Sequence, residues 1–307
     1  MAELDLTTSL GPLTLRTPLV AAAGTFGAVH EFAGFGTLGF YGAAVAKSVS
    51  RDPWPGRPAP RLAAVGDGML NGIGIQNPGI DAWVDEVAPL MPRLDVPVWG
   101  SAVGRTPDEF AHVAVRLAEA GVAAVEINLS CPNLEDERMF ALDPGLSSAV
   151  MGTVRSALGA GVPVGAKLAP NTQDISAVAG ACRDSGADWV VISNTQLGAA
   201  IDPSTRRPRL SIGVGGLSGP PLKPVAIRCV MEVRQSHPDL PILGCGGVTT
   251  GADVVEYLLA GASAVGLGTV HFAEPRAAKR ITGELTRFCL AQGVARIADL
   301  VGAVRPW

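Results

Sequence analysis

The chain is short of the residues that staple, anchor or steer proteins. Its 307 residues hold five cysteines (Cys131, Cys182, Cys229, Cys245 and Cys289), an odd number, widely spaced and without a C-x-x-C pair. This spacing argues against a disulfide framework and against a zinc or iron–sulfur centre built within the chain, so no metal site is expected. No apolar run reaches the roughly 18–20 residues of a spanning helix, and residues Met1–Leu10 lack the basic-then-apolar order of a signal peptide. The expectation is a cytoplasmic protein with no membrane contact. Charge is also near balance, 24 basic residues against 28 acidic ones. With a pI near 5.6, nothing draws the chain toward nucleic acid.

Glycine and proline, by contrast, are abundant: 38 and 24 residues, about a fifth of the chain, where roughly 12% is usual. The glycines are interleaved with apolar runs and the mean hydropathy is +0.31, which excludes low-complexity disorder. They mark tight turns and places where backbone approaches a ligand closely.

Eight apolar runs read as strands: Pro18–Ala23, Ala43–Ser48, Val96–Ala102, Ala123–Leu129, Val162–Leu168, Trp189–Asn194, Pro241–Gly246 and Ala264–Thr269. They are nearly continuous rather than alternating, as in strands buried on both faces. Helical stretches lie between them. Thr106 precedes Pro107, Asp108 and Glu109, and Gly121 ends that helix; Thr250 to Gly261 repeats the arrangement. Eight strand-plus-helix units predict a single (β/α)8 barrel over residues 1–307. An open doubly wound sheet is the runner-up, but its dinucleotide fingerprint is absent, since the first turn reads Gly24-Thr25-Phe26-Gly27.

Two connections exceed a plain βα unit: Arg51–Pro78, rich in proline and ending in NGIGIQNP, and Gln196–Lys223, containing GVGGLSGPP. Long loops in a compact domain are usually functional, so these are expected to wall or lid the C-terminal face. Chemistry in this fold is built at the strand ends. There the chain places Lys47 and Ser48, Ser101, Asn128, Lys167, Ser193 to Thr195, Gly246 and Gly247, and Gly268 and Thr269. So many polar residues ending buried strands need partners, because an unpaired buried polar group costs on the order of 1–3 kcal/mol. The glycine-rich turns after strands seven and eight, with Gly219, suit a phosphate. That signal alone means a phosphorylated ligand or cofactor.

Cys131 lies just past the fourth strand in EINLSCPN, between Asn128 and Asn133, and leads into a charged loop, Leu134–Asp143. A thiol there can take or give a proton. The other four cysteines read as packing. His30, His112 and His237 fall on or beside helices, and only His271 lies near the pocket, so neither a catalytic triad nor a histidine metal site is supported.

The ordered motifs NGIGIQNPG (71–79), EINLSCPN (126–133), KLAPN (167–171), ISNT (192–195), GGLSGPPLKPVAIRCV (215–230) and GCGGVTTGADVVEYLLAGASAVGLGT (244–269) resemble the class 1 dihydroorotate dehydrogenases, with wording nearest class 1B, the NAD-linked catalytic subunits. The resemblance runs from about Gly24 to Phe272. It implies an FMN-holding TIM barrel that oxidises dihydroorotate to orotate in pyrimidine synthesis. Cys131 then resembles the base that removes the C5 proton. The membrane-bound class 2 enzymes carry Ser there and an N-terminal extension, and neither is expected here. Asn71, Asn128, Asn133, Asn194 and Thr195 resemble the groups that hold the substrate ring, together with the loop residues Gly72, Ile73, Gly74 and Ile75. Lys47 resembles the lysine between substrate and flavin, and Lys167 the one beside the flavin ring. Gly219, Gly246, Gly247, Gly268 and Thr269 match the FMN-phosphate cradle. Ala23, Ser48, Ser101, Asn128 and Ser193 stand at flavin-contacting positions.

The chain departs from the family at Ser101, commonly Asn, at Cys245, where Met-Gly-Gly is usual, and in the loop after Cys131. The resemblance implies a homodimer, or a heterotetramer with a subunit carrying FAD and an iron–sulfur cluster. NAD reached through that partner and fumarate are both open as electron acceptors. Flavin chemistry on another dihydropyrimidine-like ring, a flavin-free phosphate-binding isomerase or lyase, and a non-catalytic scaffold are the alternative functions.

Overall fold

The computed structural model describes residues 4–129 and 139–305. Eight parallel strands close into a barrel in sequence order: β1 (Leu19–Ala21), β2 (Ala43–Val45), β3 (Val98–Ala102), β4 (Ala124–Asn128), β5 (Val164–Lys167), β6 (Trp189–Ile192), β7 (Ile242–Cys245) and β8 (Ala264–Leu267). The ring closes where Leu267 of β8 pairs with Ala21 of β1. All eight expected strands are present, each within the expected run.

Their continuous apolar character has a direct cause. One parity of residues, such as Val125, Ile127, Val190 and Val265, packs outward into the core shared with the helices. The other, including Val20, Val45, Trp99, Trp189 and Leu243, points into the lumen. Trp99 and Trp189 pack with ring centroids 5.2 Å apart. Gly165 makes room for them, since a Cβ there would lie 2.1 Å from the Trp189 ring. A hairpin the sequence reading left unassigned, Thr8–Leu10 paired with Leu13–Leu15, adds buried Leu10 and Leu15 to the same cluster and plugs the N-terminal end.

The helices are α1 (Ile80–Glu86), α2 (Pro107–Glu119), α3 (Pro144–Leu158), α4 (Ile175–Asp184), α5 (Lys223–Ser236), α6 (Gly251–Ala260), α7 (Val270–Ala273) and α8 (Ala277–Gln292). The two caps legible in the sequence are in place: Thr106 accepts from the Glu109 amide, and Thr250 forms a capping box with Asp253. The crossover from β1 to β2 differs from expectation. It consists of 3₁₀ turns at His30–Phe35 and Leu38–Phe40, because glycines at 27, 34, 36 and 39 disfavour an α-helix.

The two long connections are not separate decorations. They build one antiparallel sheet over the barrel, in the order Gln196–Ala199, Val214–Ser218, Gly68–Asn71, Leu62–Val65. Gly216 pairs with Asn71, which joins the loop after β2 to the loop after β6. The expected walls therefore exist as a sheet. Among the described residues no helix is long and apolar enough to cross a membrane.

Candidate active site

Barrel and sheet enclose a cavity of about 890 Å³ at the C-terminal ends of the strands, within the usual range of small-molecule sites. Its floor is the top of the lumen. Lys167, Asn128, Ser48, Ser193 and Cys245 line it, each less than a tenth exposed. On β4, β5 and β7, and just past β6, strand alternation puts Asn128, Lys167, Cys245 and Ser193 there on the lumen-facing parity, and Ser48 joins them from the turn after β2. The Asn128 amide donates to the Ser48 hydroxyl at 3.2 Å, which lies 2.8 Å from the Ser101 hydroxyl. Ser101 does not line the cavity; it stands behind Ser48 and holds it.

Lys167 faces Glu126, an acid on the same parity of β4, with Nζ 3.4 Å from Oε1 and both side chains buried. Burial opposes the Lys167 charge, but Glu126 outweighs it and holds the ammonium above its usual range. The Cys245 thiol is pushed up by burial, so it stays neutral. Cys245 is therefore more than packing: it forms part of the floor beside the buried lysine.

The side wall comes from the sheet and the loop after β6. Asn71 donates to the Gly216 carbonyl at 3.1 Å, and the Asn194 side chain accepts from the Thr195 amide at 2.8 Å. The glycines of GVGGLSG allow this approach: a Cβ on Gly215 would lie 2.4 Å from the Asn71 carbonyl, and one on Gly216 would lie 2.1 Å from the Thr195 hydroxyl. Gly72, Ile73, Gly74 and Ile75 complete this side, and Ala23 and Lys47 enter from the loops after β1 and β2.

The loop 71–79 is fixed by a residue that sequence reasoning passed over. Asn77 is buried; its side-chain oxygen accepts from the Ser50 and Gly79 amides, and its amide donates to the Ile75 carbonyl at 2.8 Å. Asn171 does similar work beneath Thr195, donating to its carbonyl and accepting from the Leu197 amide. Both lie in quoted motifs, so the available signal was an amide between turn residues.

At the far end Gly219, Gly246, Gly247, Gly268 and Thr269 come together. Gly219 (φ 87°), Gly246 (φ 139°) and Gly247 (φ 70°) occupy backbone conformations that favour glycine. A Cβ on Gly247 would meet the Gly219 carbonyl at 2.7 Å, whereas one on Gly268 would touch only the Ala22 and Thr25 side chains, at 3.9 Å. This end is braced from outside by Lys223, whose Nζ lies 2.6 Å from Asp253 and 2.7 Å from Glu256. It is braced from inside by His271. Thr25 gives its proton to the Ala22 carbonyl, so it accepts from His271 Nδ1–H, and the Tyr41 hydroxyl donates to Nε2 at 2.8 Å. Burial lowers the His271 pKa to about 3, which leaves it a neutral brace between loops.

Eighteen of the sequence-predicted site residues line this one cavity. Cys131 and Asn133 lie outside the described residues. Among the described residues no cluster of three metal-binding side chains occurs.

Comparison with known proteins agrees with this geometry. The family model described as dihydroorotate dehydrogenase matches residues 5–289. The chain is 43% identical over 302 residues to the protein named dihydroorotate dehydrogenase B (NAD(+)), catalytic subunit, of Pelobacter propionicus, covering 98% of each. It is 42% identical over 306 residues to the protein of the same name in Geobacter sulfurreducens, covering 99% of each. In fold it resembles the crystal structure of a dihydroorotate dehydrogenase from Eimeria tenella bound to ferulenol. There the TM-score is 0.83 at 23% identity, covering 97% of this chain and 88% of that one. The chain belongs to the dihydroorotate dehydrogenase family.

Proposed function

We propose that this barrel is the catalytic subunit of an NAD-linked dihydroorotate dehydrogenase, holding FMN in the cavity and oxidising dihydroorotate to orotate for pyrimidine synthesis. The observation that carries the reading is the convergence of motifs from six strand ends on one cavity, in a chain that matches the family over nearly its whole length.

The residues present suit FMN. The glycine cradle of Gly219, Gly246, Gly247 and Gly268 leaves backbone and open space where side chains would intrude, which fits a phosphate. The cationic Lys167 on the floor fits a ring that gains negative charge. Bound there, FMN supplies a two-electron acceptor next to the substrate.

The chain's own residues do the rest. Asn71, Asn128, Asn194 and Thr195 offer amide and hydroxyl groups that match the donor and acceptor edges of a dihydropyrimidine, with Asn133 joining them. Lys47, which lines the cavity, would lie between substrate and flavin, and the sheet strands Leu62–Val65, Gly68–Asn71, Gln196–Ala199 and Val214–Ser218 would shield the reacting carbons from bulk water. Cys131 takes the C5 proton while the C6 hydrogen leaves with its electron pair, as the hydride that bound FMN would accept, and C5–C6 becomes a double bond. A partner subunit bearing FAD and an iron–sulfur cluster passes the electrons to NAD; the assembly is a cytoplasmic heterotetramer built on a homodimer of this single-domain chain.

The test is anaerobic. Protein loaded with FMN should lose its visible flavin band on addition of dihydroorotate, and a colourless protein that takes up no FMN would sink the proposal. Cys131→Ala should keep FMN and lose most of the reduction rate, while Cys131→Ser should recover part of it at high pH. Undiminished reduction in Cys131→Ala would remove Cys131 as the base.

A further inference from the structure

Glu126 is an acid where the fold calls for none. It is the third residue of β4, in the run AVEIN, and its parity turns it into the lumen, where it is 1% exposed. It does not line the cavity; it lies one layer below the floor, beneath Lys167. Its Oε1 sits 3.4 Å from the Lys167 ammonium and accepts no hydrogen bond. Burying such a pair costs several kcal/mol per ion in desolvation, and apolar residues of similar volume would often be at least as stable. The pair therefore calls for a reason other than stability.

We propose that Glu126 is a positioning residue that fixes the Lys167 ammonium beneath the flavin ring and balances its charge, and so sets how readily the bound flavin is reduced. This rests on the reading of the cavity as a flavin site. A lone lysine under the ring would attract the incoming negative charge strongly. With Glu126 behind it, the flavin meets a dipole rather than a bare cation. The same carboxylate keeps the lysine charged: burial works against the ammonium, and Glu126 from β4 and Cys245 from β7 are the titratable groups that face it among the described residues. Cys245 is neutral, so Glu126 is the only formal countercharge of the two.

Two consequences follow for Glu126→Gln. Near neutral pH the uncompensated lysine should favour the reduced flavin, raising the reduced-to-oxidised ratio at a fixed external potential by about tenfold or more. As the pH rises, Lys167, now opposed by burial without its partner, should lose its proton early and the gain should vanish. The wild type should lack that step, and Glu126→Asp, which keeps the charge, should behave like the wild type.

The experiment is a reductive titration of the FMN-loaded wild type and both variants from neutral to alkaline pH, with FMN affinity measured alongside by flavin fluorescence. A wild type that takes up no FMN would overturn the flavin reading. A wild type that binds FMN while Glu126→Gln shows the same potential and pH profile would overturn the role of Glu126 alone. If Glu126→Gln does not fold, Glu126→Gln with Lys167→Met removes both buried charges and should restore folding; failure of that double variant as well would also count against charge balance.

Discussion

At the N-terminal end of the lumen Trp99, Trp189, Leu10 and Leu15 meet with no charged group among them, while nearer their C-terminal ends β3, β4, β5 and β6 present Ser101, Glu126, Lys167 and Ser193. One end is closed by apolar contact. The other is held open by hydrogen bonds, ion pairs and glycine turns around a cavity. Strand alternation allows this division, because one parity can be apolar at the bottom and polar at the top without disturbing the helices outside. Stability should therefore concentrate below and reactivity above.

The largest expected effect tests the lower end. Trp189 is fully buried against Trp99 and fills the space Gly165 leaves. Trp189→Ala should cost about 3–5 kcal/mol through lost contacts and a cavity. Chemical denaturation should show the loss, with FMN affinity and the substrate KM of the surviving folded fraction nearly unchanged. A variant that unfolds no more easily yet loses FMN would erase the division between the ends.

A middle-sized effect tests the upper end. Asn77→Ala leaves the Ser50 and Gly79 amides and the Ile75 carbonyl without their partner. The cost should be up to about 3 kcal/mol, confined to the loop. The expected outcome is faster amide exchange across residues 50–79 and a raised KM, with little change in the global unfolding midpoint. A large global loss would show that this wall is part of the structural core.

The division also explains what the sequence could disclose. The barrel strands were legible because burial on both faces leaves continuous apolar runs, and the caps at Thr106 and Thr250 because capping is local chemistry. The sheet over the cavity was not. Its strands pair Gly68–Asn71 with Val214–Ser218, nearly 150 residues apart, and they are too short to announce themselves. The cavity-lining residues were readable through motifs, whereas those that hold them from behind, Asn77, Asn171 and Glu126, are ordinary until their partners are seen. Ser101 shows the reverse: a motif position placed it at the site, and the structure sets it one side chain further back, against Ser48.

The smallest effect distinguishes the two kinds of support by pH. Asp253 accepts from the Thr249 and Thr250 amides and pairs with Lys223 beside the glycine cradle. Although burial alone would raise it, these partners bring its pKa down to about 2. A carboxylate depressed in the folded state stabilises it above the unfolded pKa, and that contribution disappears as the pH falls through the folded value. Wild-type protein should thus lose up to about 2 kcal/mol between about pH 4 and pH 2 through this one group. Asp253→Asn should be less stable by that amount at neutral pH, and the gap should close near pH 2. The gap opened by Trp189→Ala should stay constant over the same range, since the one titratable group in that cluster, the Cys245 thiol, is held neutral there by burial. Parallel acid titrations of the three proteins would show it, and an Asp253→Asn gap that persists unchanged at pH 2 would mean that the upper end, like the lower, is held by packing.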